Sequence, residues 1–411
     1  MNKNIKAFLK QYKILRIVYR EVYHFWRELA VILFSSFYKK IKFKAVTKND
    51  LLQNKEKYKL REFGKKETLQ YKTFYTITPI SQRIKDNVSI FELEVARPFV
   101  GEIEQVEIIG NYPVAFDRDR NLILETTLPR FTPVETHIAK NVSIKTIVAA
   151  NFRQNNSKPA IETACILINP WSNNFWHWTV DTLTQLEGIE HYEQQTGIRP
   201  KLIIEANLRS WQRDSLKLLG YDENDWIAWQ DFRRTVDKLI VPSFRRSYEE
   251  VHSEVSIAAC QWLRQRILGN IYRIKSDFSS FSPNIFISRR KALGRRIANE
   301  NEVVEALKPL GFVTYILEEM SYVEQVKLFA QAKVIVAPHG AGLTNLLFAE
   351  NPIILELFGS YVGNEFANLA RGLNFKYGCL ACQPPRGEIR QKDGDMVVDV
   401  AKLLELLAMM K

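Results

Sequence analysis

Residues 332–347, AKVIVAPHGAGLTNLL, place the tightest constraint on how this chain folds. Val334, Ile335 and Val336 form a β-branched apolar run without polar alternation, which predicts a strand buried on both faces, as in a parallel sheet. The run stops at Pro338-His339-Gly340-Ala341-Gly342, and Leu343–Phe348 then predicts a helix. A Gly-rich strand-to-helix turn lets the backbone approach a ligand closely. The free N–H groups of a helix start favour an anion such as phosphate there. A tight βα turn with a structural His would use the same letters.

The turn is neither a Walker A loop nor a GxGxxG fingerprint. The similar oxyanion loop of α/β-hydrolases serves a Gly-x-Ser-x-Gly elbow, and the chain contains none. Around this turn the pattern is regular. Strands are predicted at Asn284–Ser288, Phe312–Leu317, Val334–Ala337, Ile353–Leu357 and near Phe375–Tyr377. Asn299 with Glu302, and Ser321 with Glu324, predict capped helix starts. Helices are also expected at Gly363–Gly372 and Val397–Met410. Strands spaced by helices of this length imply a right-handed parallel, Rossmann-like sheet.

The upstream half opens with hairpin-like segments at Ile90–Val95, Val106–Ile109, Tyr112–Phe116 and Leu122–Leu124. It continues with strands at Thr163–Ile168, Lys201–Glu205 and Lys238–Val241. Helices are predicted at about 175–192, Ser210–Leu219 and Val255–Ile274. The Ser-rich stretch 275–283 marks a boundary. The organisation expected is therefore an N-terminal arm and connector (1–85), an N-terminal Rossmann-like domain (86–278) and a C-terminal one (279–411).

The chain has 411 residues, 46% of them hydrophobic and 25% charged, the balance of a globular protein with large cores. Its net charge of +12 hints at nucleic acid until it is located. Residues 1–44 hold eleven Lys/Arg against two Glu, leaving only +3 for the rest. No basic groove is expected across the folded body, so nucleic acid is set aside as a partner. The arm mixes its charge with Phe8, Tyr12, Phe25, Trp26 and the run Leu29–Phe34, a composition suited to an anionic membrane surface. No stretch reaches transmembrane length, and no small-residue cleavage site follows the apolar part of the arm. Four scattered cysteines argue for a reducing compartment, and the lone Cys379-x-x-Cys382 pair lacks the second ligand pair of a zinc site. The location expected is the cytoplasm, at the inner face of the membrane.

Residues 169–181, NPWSNNFWHWTVD, form the second unusual stretch. His177 and Asp181 lie one helical turn apart on a shared face, and a carboxylate beside an imidazole suits a general base. Trp171, Asn174, Trp176 and Trp178 crowd the same corner, where flat aromatic faces suit sugar rings. Ordinary core packing and a simple surface His/Asp contact account for the same residues. Arg289 ends the strand Asn284–Ser288, followed by Arg290, Lys291, Arg295 and Arg296. Guanidinium groups at strand ends match phosphate oxygens. Glu356, at the end of another strand, is placed to hold a ribose diol or to pair with one of these arginines.

Taken together, NFWHWTVD (174–181), ISR-x6-RIANE (287–300) and SYVEQVKLFAQAKVIVAPHGAGLTNLLFAENPIILEL (321–357) resemble glycosyltransferase family 61. The agreement spans roughly residues 90–385 and is densest over the last hundred. Trp176 departs from the pattern, in which Gly often precedes the His. The resemblance implies a GT-B architecture, two Rossmann-like domains facing across a cleft, and an inverting transfer without a required metal or any cofactor beyond the nucleotide-sugar donor. It implies that Arg289, Arg296, His339 and the turn Gly340, Ala341, Gly342, Leu343, Thr344 and Asn345 neutralise the donor diphosphate, with Glu356 holding the nucleoside. The base is then His177 or Asp181, and the acceptor is a glycan or lipid-linked glycan of cell-surface polysaccharide biosynthesis. A catalytically silent sugar-nucleotide or polysaccharide binder, or a membrane-attached assembly scaffold, is the alternative.

Overall fold

The computed structural model describes residues 44–70, 74–76, 92–127, 142–150, 158–246, 255–273, 281–387 and 393–411, with Val22, Leu29 and Ile138. The basic arm, apart from Val22, Leu29 and Lys44, and most of the Ser-rich boundary lie outside the described residues. Among the described residues no helix is long and apolar enough to cross a membrane.

The C-terminal sheet is parallel throughout. Its five strands run in the order Phe312–Tyr315, Asn284–Ile287, Val334–Pro338, Ile353–Phe358 and Lys376–Ala381. The unbroken apolar runs follow from coverage on both faces. Val334, Val336, Leu355, Leu357 and Leu380 pack against the helices Glu300–Leu307 and Val400–Met410. Ile335, Ala337, Ile354, Phe358 and Tyr377 face the other way. They pack toward the helices Tyr322–Gln331 and Glu365–Gly372 and the 3-10 turn Ala341–Phe348. Cys379 and Cys382 fall on opposite faces of this sheet as free, buried thiols.

Of the two predicted helix caps, only one forms. Ser321 accepts from the Glu324 amide, and the Glu324 side chain accepts from the Ser321 amide. Asn299 instead exchanges hydrogen bonds with the backbone of Val398, accepting at 2.9 Å and donating at 2.9 Å. A tertiary contact has taken the side chain that the local pattern assigned to the cap.

The N-terminal sheet is mixed. Trp226–Trp229, Lys201–Glu205, Ile161–Ile166 and Arg233–Pro242 pair in parallel, and Phe99–Ile109 then runs antiparallel to Arg233–Pro242. Val114–Phe116 and Leu122–Ile123 continue this side antiparallel, and Ala45–Val46 closes it in parallel with Leu122–Ile123. The Rossmann-like reading therefore describes its parallel half. Residues 45–70, read as part of a connector, are built into the fold. Ala45–Val46 and Arg61–Glu62 join the sheet, and Glu67–Gln70 pairs with Glu92–Val95. Tyr75 reaches further, bonding the backbone of Tyr377 and Cys379 along the outer edge of the C-terminal sheet. An edge strand so covered offers fewer free backbone groups to other chains.

The helix predicted at about 175–192 is not regular. It opens as α over Phe175–His177, widens to a π-helical turn at Trp178–Thr182, tightens to 3-10 at Leu183–Gln185 and resumes as α over Leu186–Thr196. Thr179 and Thr184 donate their hydroxyls to the carbonyls of Phe175 and Val180, four residues back. Such back-bonding loosens a helix locally, and π turns recur at functional sites.

One apolar cluster runs through both halves, from Cys165, Trp178 and Leu186 to Tyr322, Phe348 and Phe366. Phe175 meets Tyr322 edge-on at 6.1 Å, and Trp176 meets Phe366 edge-on at 5.3 Å. The result is a mixed α/β fold whose two sheets share core. Phe348→Ala should therefore cost roughly 3–5 kcal/mol, the usual range for emptying a buried Phe site. Denaturant unfolding followed by tryptophan fluorescence should show one earlier transition, since Trp176 and Trp178 belong to the same cluster. Two separated transitions would show that the halves unfold independently.

Candidate active site

In the C-terminal sheet the second strand in sequence lies on one side of Asn284–Ile287 and the third on the other. Crossovers leaving in opposite directions open a crevice at the carboxyl ends of those neighbours, the usual ligand site of open α/β sheets. Arg289 follows one of these strands, and His339 and Gly340 follow the other. The side chain of Arg289 lies under Gly340, where any Cβ would overlap the guanidinium. Gly340 has an extended backbone, so glycine is required here for space and not for conformation.

Arg289 is largely enclosed, yet among the described residues its buried Nε has no hydrogen-bond partner, and its Nη2 reaches only the Gly294 carbonyl at 3.3 Å. Burial, and secondarily the like charge of Arg295, pull its pKa down to about 10, while Glu318 and Asp393 act weakly against the shift. A buried cation short of partners is a site for an anion.

His339 is buried above it, ringed by Phe358, Tyr361 and Phe366 at 5.0–5.2 Å. Its Nδ1 bonds Glu356, whose other oxygen accepts from the Tyr377 hydroxyl at 2.6 Å. Burial, and next the Glu356 charge, push the Tyr377 phenol well above its ordinary pKa, so it stays a donor. Glu356 is fully buried with both oxygens committed. It neither faces a ribose nor pairs with an arginine; it fixes the His339 ring.

Gly340 and Ala341 line the cleft, but the rest of the turn points inward. Leu343, Thr344 and Asn345 are buried, with Thr344 bonded to the Ala341 carbonyl and Asn345 to Gln325 and the Gly342 carbonyl. At Gly342 a Cβ would meet Leu317 at 2.6 Å. These residues shape the turn and do not line the cleft.

The opposite wall comes from residues after the parallel strand Ile161–Ile166. Asn174 caps the helix start by accepting from the amides of Trp176 and His177. His177 Nδ1 then meets Asp181 Oδ2 at 2.6 Å. Asp181 is fully buried, and its Oδ1 accepts from Arg246 Nε. Burial alone would raise the Asp181 carboxyl, but Arg246 and His177 outweigh it and hold its pKa below the ordinary value. An ionised carboxylate only accepts, so Nδ1 carries a proton, and in the neutral ring the lone pair lies on Nε2. Asp181 itself is out of reach of a ligand.

A cleft of about 450 Å³ lies between these walls, lined by His177, Trp171, Asn174 and Trp176 on one side and by His339, Gly340 and Ala341 on the other. Trp171 packs against His177 at 5.4 Å. Trp178, by contrast, is 1% exposed and donates its Nε1–H to Ser215 at 2.9 Å, so it is core and not an acceptor platform. Arg296 also lies elsewhere. It makes a two-pronged ion pair with Asp395 beside a separate depression with Arg290 and Asn301. Its neighbour Arg295, held in the left-handed region at φ 57°, lines the cleft over the Tyr361 ring at 5.4 Å.

Sequence reasoning missed Arg246, Arg295, Tyr361 and Glu365. Arg246 comes after the strand Arg233–Pro242, 65 residues from its partner Asp181, and nothing in its neighbourhood marks it. Arg295 stood among five basic residues, and a backbone left-handed at that position is not visible in a pattern of letters.

Comparison with known proteins covers the same ground. The family model described as Glycosyltransferase 61 matches residues 175–354. A segment of 83 residues, 19% of this chain, is 34% identical to the EGF domain-specific O-linked N-acetylglucosamine transferase of Gallus gallus. The proteins of that name from Canis lupus familiaris and Bos taurus are each 31% identical over 93 residues, or 21% of the chain. The matches span only 16–18% of those relatives' own length. Residues 175–354, which hold His177, Asp181, Arg289 and His339, are similar to the glycosyltransferase 61 family.

Proposed function

We propose that the chain is an inverting glycosyltransferase that moves a sugar from a nucleotide-sugar to a hydroxyl of a glycan acceptor. The observation that carries this reading is the under-partnered Arg289 guanidinium beneath Gly340, which lines the same cleft as His177 of the His177–Asp181 pair. The family match and the O-linked transfer named for the relatives support an oxygen acceptor. The two halves would then act as a GT-B pair, fused here through shared core.

The reaction is a single displacement. His177 Nε2 takes the proton from the acceptor hydroxyl as its oxygen bonds to the anomeric carbon. The bond from that carbon to the diphosphate oxygen breaks, and the electron pair leaves with the nucleoside diphosphate. Attack opposite the leaving group inverts the configuration. Arg289 and Arg295, with the backbone of the Gly340–Ala341 turn, meet the developing negative charge. Asp181 and Arg246 hold the imidazole in its base tautomer, so Asp181 is a positioning residue. No cofactor besides the donor enters these steps. A lipid-linked or growing polysaccharide at a membrane surface is the acceptor we favour, in keeping with the basic residues 1–44.

Two expectations follow from this geometry. A panel of nucleotide-sugars, including nucleotide-linked N-acetylglucosamine, should yield free nucleotide from one donor with acceptor present. His177→Ala should slow that release about 10²–10⁴-fold, the range for losing a general base, and Asp181→Asn should slow it less. Turnover that persists when both residues are replaced would sink the assignment of the base. Arg289→Met tests the anion site. Removing a desolvated cation should leave the ligand-free melting temperature unchanged or a few degrees higher, while nucleoside diphosphate should no longer raise it. A large loss of ligand-free stability would make Arg289 a structural residue instead.

A further inference from the structure

We propose that Glu365 reads the sugar of the donor, accepting hydrogen bonds from hydroxyls of the ring that is transferred; this rests on the nucleotide-sugar reading above. Glu365 opens the helix Glu365–Gly372 and lines the cleft beside His339, Tyr361 and Phe366. Among the described residues its buried Oε2 has no hydrogen-bond partner, and its Oε1 has only the Tyr361 hydroxyl at 3.5 Å. An ionised carboxylate offers about four acceptor sites, and leaving such an oxygen buried and unmet is costly. Donors supplied by a ligand would remove that cost.

Gly363 makes room for this arrangement. A Cβ there would overlap Glu365 Oε2 and come within 3.1 Å of His339 Cε1. The missing side chain thus brings the carboxylate up beside the imidazole at the end of the phosphate-binding turn. The charge of Glu365 decides which part of a ligand it can face. Diphosphate belongs with Arg289 and Arg295, and a carboxylate would repel it. The complementary partner is neutral and rich in O–H donors, which describes the hydroxyls of a sugar ring. The aromatic rings of Phe366 and Trp176, edge-to-face at 5.3 Å, adjoin the same space and suit the C–H face of such a ring.

The test compares two ligands in the same variant. Binding of the nucleotide-sugar selected by the turnover panel, and of its bare nucleoside diphosphate, is measured by calorimetry for the full chain, Glu365→Gln and Glu365→Ala. Losing charge-assisted hydrogen bonds to hydroxyls should weaken the nucleotide-sugar about tenfold or more, with bare nucleoside diphosphate bound as before or more tightly. Retained diphosphate affinity also shows that each variant is folded. Equal losses for both ligands would mean that Glu365 supports the turn and does not read sugar, and unchanged affinity for both would equally overturn the proposal. If the unaltered chain binds neither ligand, the nucleotide-sugar reading fails first and takes this inference with it.

Discussion

The parallel pairing of Asn284–Ile287 with Val334–Pro338 governs everything at the cleft. The chain leaves these adjacent strands in opposite directions, so no crossover covers their carboxyl ends. Arg289 and His339 emerge there side by side, and the space between them is set by Gly340, which has no side chain to push the guanidinium away. The sheet floor and the inward-packed turn Ala341–Phe348 keep water from Arg289. Its charge is therefore poorly solvated. Such a site works against stability locally, and the large apolar cluster under the turn offsets it.

Two imidazoles face this cleft, each tied through Nδ1 to a buried carboxylate, but the far side of each pair differs. Asp181 is backed by Arg246, a fixed cation that keeps the carboxylate ionised. Glu356 is backed by the Tyr377 phenol, a neutral donor. The side chain of His177 is 16% exposed and that of His339 only 4%. The first imidazole is open to the solvent of the cleft. The second is walled in by aromatic rings beside the guanidinium, a place for holding a bound group. Similar residue pairs thus take different roles because their second neighbours and their access differ.

Most strands and helices of the C-terminal half were legible in the sequence, since burial on both faces leaves an unmistakable apolar run. The His177–Asp181 pair was legible for the same kind of reason, a fixed spacing on one turn. What failed was orientation. Trp178 and Trp176 lie two residues apart, on nearly opposite sides of the helix, so one packs into the core against Ser215 and the other stays at the cleft. Arg295 and Arg296 are neighbours, and the left-handed backbone at Arg295 decides which one lines the cleft. Glu356 looked available because it ends a strand. Strand alternation, however, turns it to the face of Ile354 and Phe358, where His339 and Tyr377 use both its oxygens. Residues 45–70 looked unpatterned because edge strands of two to four residues are too short to show a period.

The order of charges along the cleft supplies a direction. Arg289 and Arg295 gather positive charge at the switch point, Glu365 places a carboxyl group beside His339, and His177 faces them from the other half. A ligand that carries anion at one end and hydroxyls at the other can satisfy this series in only one orientation. Reversed, it would set anion against carboxylate and leave the guanidinium unmet. In the favoured orientation the anionic end lies toward the guanidinium groups and the hydroxyl end toward Glu365. The shared core beneath both walls fixes their spacing, because Trp176 and Phe366 on opposite sides of the cleft pack against each other.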